Sequence, residues 1–204
     1  VVYNEMKGAF SSPDEVLERE IMNHLFPDTT YGCESGGDPK NIPDLTYENF
    51  LNFHRTYYHP SNSYIYLYGN MDMEEKLAFL DEHYLSHFDY LDVDSVIQEQ
   101  KAFGACRDVT LEYPVAENEG EEDNTYLSYN TVIETALDEK LYLAFDILDY
   151  ALVSAPGAPL KQALIDAGIG SEITGGYDSG TLQPTFYVIA KNTNPQEKEH
   201  FLAV

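Results

Sequence analysis

The chain has 204 residues, enough for one large domain or two modest ones with a real core. Hydrophobic residues make up 43% and charged residues 23%, a globular balance that excludes collagenous, low-complexity and wholly disordered chains. The 36 acidic residues against 11 basic ones give a net charge of -25, which excludes nucleic acid as a partner, because phosphate binding needs clustered Lys and Arg.

Val1 to Phe10 reads as the end of a helix weakened by Gly8. Ser12-Pro13-Asp14-Glu15 opens a second helix to about Phe26: Ser12 caps, Pro13 suits the first helical position, and Glu15 stands three residues after the cap. Val16, Ile21 and Leu25 give it an apolar stripe. Residues 27–45, rich in Gly, Pro, Asp and Ser, read as an ordered loop. Thr46 caps a third helix bearing Phe50, Leu51 and Phe53, which ends at His59-Pro60-Ser61-Asn62. Tyr64-Ile65-Tyr66-Leu67-Tyr68 is aromatic and β-branched and predicts a strand stopped by Gly69-Asn70. Asp72 to Phe88 predicts a helix, with Leu77, Leu80, Tyr84 and Phe88 at helical spacing.

Residues 89–107 lose periodicity and read as a linker between two lobes. A strand is expected over 108–115. The acidic run Glu117, Glu119, Glu121, Glu122, Asp123 reads as a solvated loop; a cation site there would lack the spacing of a calcium loop. Thr125 to Ile133 predicts a strand, and Asp138 to Leu152 a helix with Leu141, Phe145, Leu148 and Leu152 inward. After the break at Pro156-Gly157-Ala158-Pro159 come a short helix, Leu160 to Ala167, and a turn-rich stretch around Gly175-Gly176 and Gly180. Phe186 to Ala190 predicts a strand, and Asn194-Pro195-Gln196-Glu197 opens a last helix by the same logic as Ser12. The order implies an α+β fold, antiparallel sheets flanked by helices.

Cys33 and Cys106, far apart, match no zinc or redox spacing, and a chain of this length needs no disulfide scaffold, so a reducing compartment, the cytoplasm, is expected. No apolar run reaches the roughly 18 residues that a membrane helix needs. The start, Val1-Val2-Tyr3-Asn4-Glu5, lacks Met and any leader pattern, and the end, His200 to Val204, stops within an apolar run; an internal piece of a longer protein is expected. The acid excess serves solubility and can also attract basic peptides.

On spacing alone, Glu5 is a solvated acid on a helix. His83 and His87, four apart on one predicted helix, could face one metal, but Tyr84-Leu85-Ser86 between them offers no Glu base, so a surface or packing role is expected. His54 and His59 flank a helix end, where the dipole favours them. No Ser-His-Asp elbow, phosphate loop or dinucleotide fingerprint occurs.

Longer stretches say more. Val1 to Phe10, then Leu25-Phe26-Pro27-Asp28-Thr29-Thr30-Tyr31, Ser35-Gly36-Gly37-Asp38-Pro39 and Ile42-Pro43-Asp44-Leu45-Thr46 follow one another at characteristic spacing. So do Phe53-His54, Tyr58-His59-Pro60-Ser61-Asn62 and Tyr68-Gly69-Asn70, and later Ala155-Pro156, Ala163-Leu164-Ile165 and Gly168-Ile169-Gly170. Together they resemble the pitrilysin/insulinase zinc metallopeptidase family, in its presequence-protease branch, over nearly the whole chain. The resemblance implies that residues 1–88 are the C-terminal part of a first peptidase domain, 89–107 a linker, and 108–204 the N-terminal part of a second homologous domain.

In that family, zinc is held by two histidines of a His-x-x-Glu-His helix and by a later Glu, and the motif's own Glu activates water. The resemblance implies that Glu5 is that later Glu, the third metal ligand. No His-x-x-Glu-His occurs in this chain. The resemblance therefore implies no catalytic residue here, and it assigns no substrate-binding residue. Zinc belongs to the full-length protein, and the isolated chain is expected to bind it weakly or not at all and to be inactive. The parent is expected to hydrolyse short unstructured peptides. The alternatives are a non-catalytic peptide-binding or scaffold subunit of the same family, or an acidic domain for basic partners.

Overall fold

The computed structural model describes residues 1–115 and 120–204, so Glu117 and Glu119 of the acidic run lie outside the described residues. The chain divides into two units: Val1–Asp38 together with Ile97–Val204, and Pro39–Val96.

The first unit begins with helix α1 (Val2–Ala9) and helix α2 (Pro13–Leu25). Ser12 caps α2 as its position predicts: its hydroxyl accepts the Glu15 N–H at 3.2 Å, one of the donors a helix start leaves without a partner. A three-stranded antiparallel sheet follows from β1 (Thr125–Val132), β2 (Glu172–Asp178) and β3 (Thr185–Thr193), in the order β1-β3-β2. Helix α5 (Glu139–Asp149) and helix α6 (Pro159–Asp166) connect β1 to β2, and α7 (Lys198–Ala203) follows β3. The remaining helices, α3 (Tyr47–Tyr57) and α4 (Met73–His83), belong to the second unit. This is the α+β fold that the element order implies.

Register places the core. Leu127, Ala190 and Ile173 stand in one row across the sheet, and Val188 is the next core position along β3. Leu164, Ile169, Ile173, Val188, Ala190 and Phe201 form the buried cluster, so α6 and α7 cover that face. Each of these side chains except Ala190 contributes about 1.5–3 kcal/mol when removed from water. On the opposite face, Lys191 reaches Asp14 of α2 at 2.7 Å and Glu172 at 3.7 Å.

The stretch around Gly175-Gly176 is a strand rather than a turn. Gly175 lies in the core row opposite Val188, where an added Cβ would sit 2.7 Å from the Tyr187 carbonyl oxygen and 2.9 Å from Val153 Cγ1. The glycine lets the π-helical turn Tyr150–Ser154 press its buried Val153 onto the sheet. That turn ends α5 earlier than expected, and Leu148 is exposed rather than inward. The strand expected at 108–115 is not formed. Side chains hold that segment instead: Asp108 pairs with Lys198, the Tyr113 hydroxyl donates to the Asn124 carbonyl, and the Tyr113 ring meets Tyr126 edge-on at 5.9 Å. Asn194 does not cap the last helix. Its side-chain oxygen accepts the Asp123 N–H at 2.9 Å, and its amide donates to the Asp123 carboxylate at 2.7 Å.

Two irregular segments are tied down by side chains acting as backbone. Gln183 Oε1 accepts the Gln100 N–H at 2.6 Å while its amide donates to the Gln100 carbonyl, so a buried side chain reads the main chain of a residue in the stretch read as a linker. The Gln100 side chain in turn accepts the Asp28 N–H at 2.9 Å and donates to the Asp28 carboxylate at 2.8 Å. Beside it, the Tyr31 hydroxyl accepts the Leu182 N–H at 2.9 Å, and the Tyr31 ring packs edge-on against the fully buried Phe26.

In the second unit, Thr46 and Asn49 form a reciprocal cap on α3, and Asp72 caps α4 through the Glu75 N–H. Among the described residues, none of Pro39–Val96 is buried. The helix expected to Phe88 stops at His83, so Tyr84 and Phe88, expected at helical spacing with Leu77 and Leu80, lie beyond it and are exposed. Tyr64–Tyr68 forms no strand: nothing in this chain pairs with it among the described residues, and Tyr64, Tyr66 and Tyr68 are at least 84% exposed.

Candidate functional site

Glu5 sits in the first turn of α1, where the helix dipole favours a carboxylate. Its side chain is exposed and makes no hydrogen bond or ion pair among the described residues. Neighbouring side chains fix the helix that carries it. Met6 lies over Gly36, where an added Cβ would stand 2.3 Å from the thioether sulfur. At the other end, the Arg19 guanidinium of α2 stacks over the Phe10 ring at 4.1 Å. Periodicity did not reveal either contact; the small residue at position 36 was the one available signal for the first.

The described residues contain no group of three or more His, Cys, Asp or Glu able to hold a metal. Glu5 therefore fits zinc as a single free carboxylate donor, not as part of a site complete in this chain. Most of the six histidines are engaged elsewhere. His24 Nδ1 lies 2.7 Å from the Glu20 carbonyl, and His200 Nδ1 lies 3.4 Å from Glu197. His59 accepts the Ser61 N–H and meets Phe88 edge-on, and His54 stacks on Tyr58 at 4.9 Å. His83 packs on Phe79 at 4.6 Å. Because α4 ends at His83 and the backbone turns at Tyr84, His87 falls in a separate 3-10 turn, so the expected shared helix face of His83 and His87 does not exist.

The other notable titratable cluster is Lys191 with Asp14, Glu172 and Tyr126. The hydrogen bond that Lys191 donates to the Asp14 carboxylate raises the Lys191 pKa, against a smaller opposing effect of burial. Burial first, then the Asp14 charge, raises that of Tyr126. A lysine held charged is no nucleophile, and the cluster reads as the tie between α2 and the sheet.

Comparison with known proteins gives a consistent picture. The profile of the family described as "Peptidase M16 inactive domain" matches residues 44–203. Protein HypA of Clostridium perfringens is 51% identical over 204 residues, covering 100% of this chain and 21% of that protein. Presequence protease 1, chloroplastic/mitochondrial, of Arabidopsis thaliana is 38% identical over 96% of this chain and 18% of its own length. The mitochondrial presequence protease of Xenopus laevis is 33% identical over 98% of this chain and 20% of its own. The chain thus spans about a fifth of the length of these relatives. Two solved structures share the fold. An M16-like protein from Alicyclobacillus acidocaldarius gives a TM-score of 0.61 at 16% identity, covering 99% of this chain and 48% of that one. A protease from Helicobacter pylori gives 0.57 at 18% identity, covering 99% and 49%.

Proposed function

Because this chain belongs to the M16 peptidase family, we propose that it is part of a zinc-dependent metalloendopeptidase that hydrolyses short unstructured peptides, with Glu5 as one ligand of the metal. The observation that carries the reading is the 38% identity to a presequence protease over 96% of the chain. The free carboxylate on a braced helix supports Glu5 in particular, since a metal ligand must be unpaired and held in direction. Bound zinc supplies a Lewis acid and lowers the pKa of its water. This chain contributes the position of the Glu5 carboxylate; the histidine ligands and the general base belong to sequence outside it. The assignment of residues 1–88 and 108–204 to two homologous domains is part of the same proposal. So is the cytoplasmic placement, which the free, exposed Cys33 and Cys106 suit.

The test is peptide cleavage by the full-length parent. Cleavage lost to a chelator and restored by zinc is the expected result, with the 204-residue chain inactive alone. The description of residues 44–203 as an inactive domain favours a second reading, a non-catalytic subunit that holds peptides or serves as scaffold. A parent that binds peptides without cutting them, and whose upstream sequence lacks His-x-x-Glu-His, establishes that reading instead.

A further inference from the structure

Tyr64-Ile65-Tyr66-Leu67-Tyr68 has the composition of a sheet strand and is bounded as one, by the turn at Pro60–Asn62 and by Gly69 at φ 134°. It nevertheless pairs with nothing among the described residues. Tyr64 is fully exposed, Tyr66 is 84% exposed and Tyr68 86%, while Ile65 on the alternate side is 47% exposed. The helices beside it in sequence leave Phe50, Phe53, Leu77 and Phe79 each more than half exposed. Edge strands open to water are protected by charge, above all by lysine. Here no Asp, Glu, Lys or Arg occurs between Arg55 and Asp72, in a chain that is 23% charged. A stretch with neither partner nor gatekeeper charge belongs in a sheet interior.

We propose that Tyr64–Tyr68 is an interior strand whose neighbours come from the parent polypeptide outside these 204 residues, and that the same missing part covers the aromatic face of Pro39–Val96. This rests on the reading of the chain as part of a larger M16 protein. The fold likeness covers 99% of this chain but only 48% of the solved chain, so that fold holds about as much structure again. A second copy is the poorer occupant, because two bodies of net charge -25 repel each other.

Amide hydrogen exchange on the full-length parent and on the 204-residue chain tests this. The amides of Ile65 to Tyr68 should exchange at nearly unprotected rates in the isolated chain and at least roughly 100-fold more slowly in the parent, as paired strands do. Fast exchange in both overturns the proposal. So does protection in the isolated chain that grows with its concentration, which assigns the strand to self-association. The readout is independent of catalysis. A parent that protects these amides without cleaving peptides keeps this inference and removes the peptidase reading; an active parent with unprotected amides does the reverse.

Discussion

The two units of the chain are equally well begun and unequally finished. Both use side-chain caps to start helices, Ser12 and Asp138 in one, Thr46 and Asp72 in the other. In the first, a sheet gathers Leu164, Ile169, Val188 and Phe201 into a dry cluster. In the second, pairs of rings such as Phe53–Tyr57 and Tyr84–Phe88 touch at about 5 Å, and no residue is buried. Local signals make helices; a core requires partners in the same chain.

Truncation should expose that contrast most strongly. Leu164→Ala and Phe26→Ala should each destabilise the first unit by about 2–5 kcal/mol in urea unfolding, transfer and cavity terms adding. Leu77→Ala, at a side chain 56% exposed, should change stability by less than about 0.5 kcal/mol. Equal losses at the two sites would erase the distinction.

Glycines sharpen it next. Gly175→Ala forces a Cβ onto the Tyr187 carbonyl and Val153, and should cost about 1–3 kcal/mol. Gly8→Ala, with nothing within 4 Å of the new atom and an ordinary helical backbone, should instead stabilise α1 by about 0.5–1 kcal/mol. Thermal melts of the two variants should move in opposite directions.

Caps should not distinguish the units at all. Ser12→Ala and Thr46→Ala each remove an acceptor for one N–H and should each cost about 1 kcal/mol of local helix stability, read by amide exchange in α2 and α3.

The smallest effect is with pH. The Asp14 hydrogen bond raises the pKa of Lys191, and burial raises those of Tyr126, Tyr177 and Tyr187, so all four groups hold their protons more tightly when folded. Above roughly pH 10 the unfolded chain releases these protons first, and stability should fall as pH rises through the folded values. The contribution is fully present at lower pH. Lys191→Met should flatten the fall measured by urea unfolding between neutral and alkaline pH.

These contrasts also mark what the residues disclosed. Caps at Ser12 and Thr46 and the strands β1 and β3 were legible, because each signal acts within a few residues. The strand at Tyr64–Tyr68 was expected from propensity alone, and propensity cannot supply a partner. The strand β2 was hidden because Gly175-Gly176 carries the signature of a turn, whereas the glycine serves the close approach of Val153. Asn194 has the chemistry of a cap, but Asp123, 71 positions away, takes its side chain. Glu5 had no local signal at all. Family likeness singled it out, and the contacts that brace its helix, Met6 on Gly36 and Arg19 on Phe10, arise only on folding.

The most direct test of the central claim is Glu5→Gln in the full-length parent, with zinc content, peptide cleavage and melting temperature measured on one preparation. The substitution keeps the shape of an exposed side chain, so the melt of this part of the protein should hold while bound zinc and cleavage are lost together. Full zinc occupancy and undiminished cleavage in the Gln variant would contradict the assignment of Glu5 as a metal ligand.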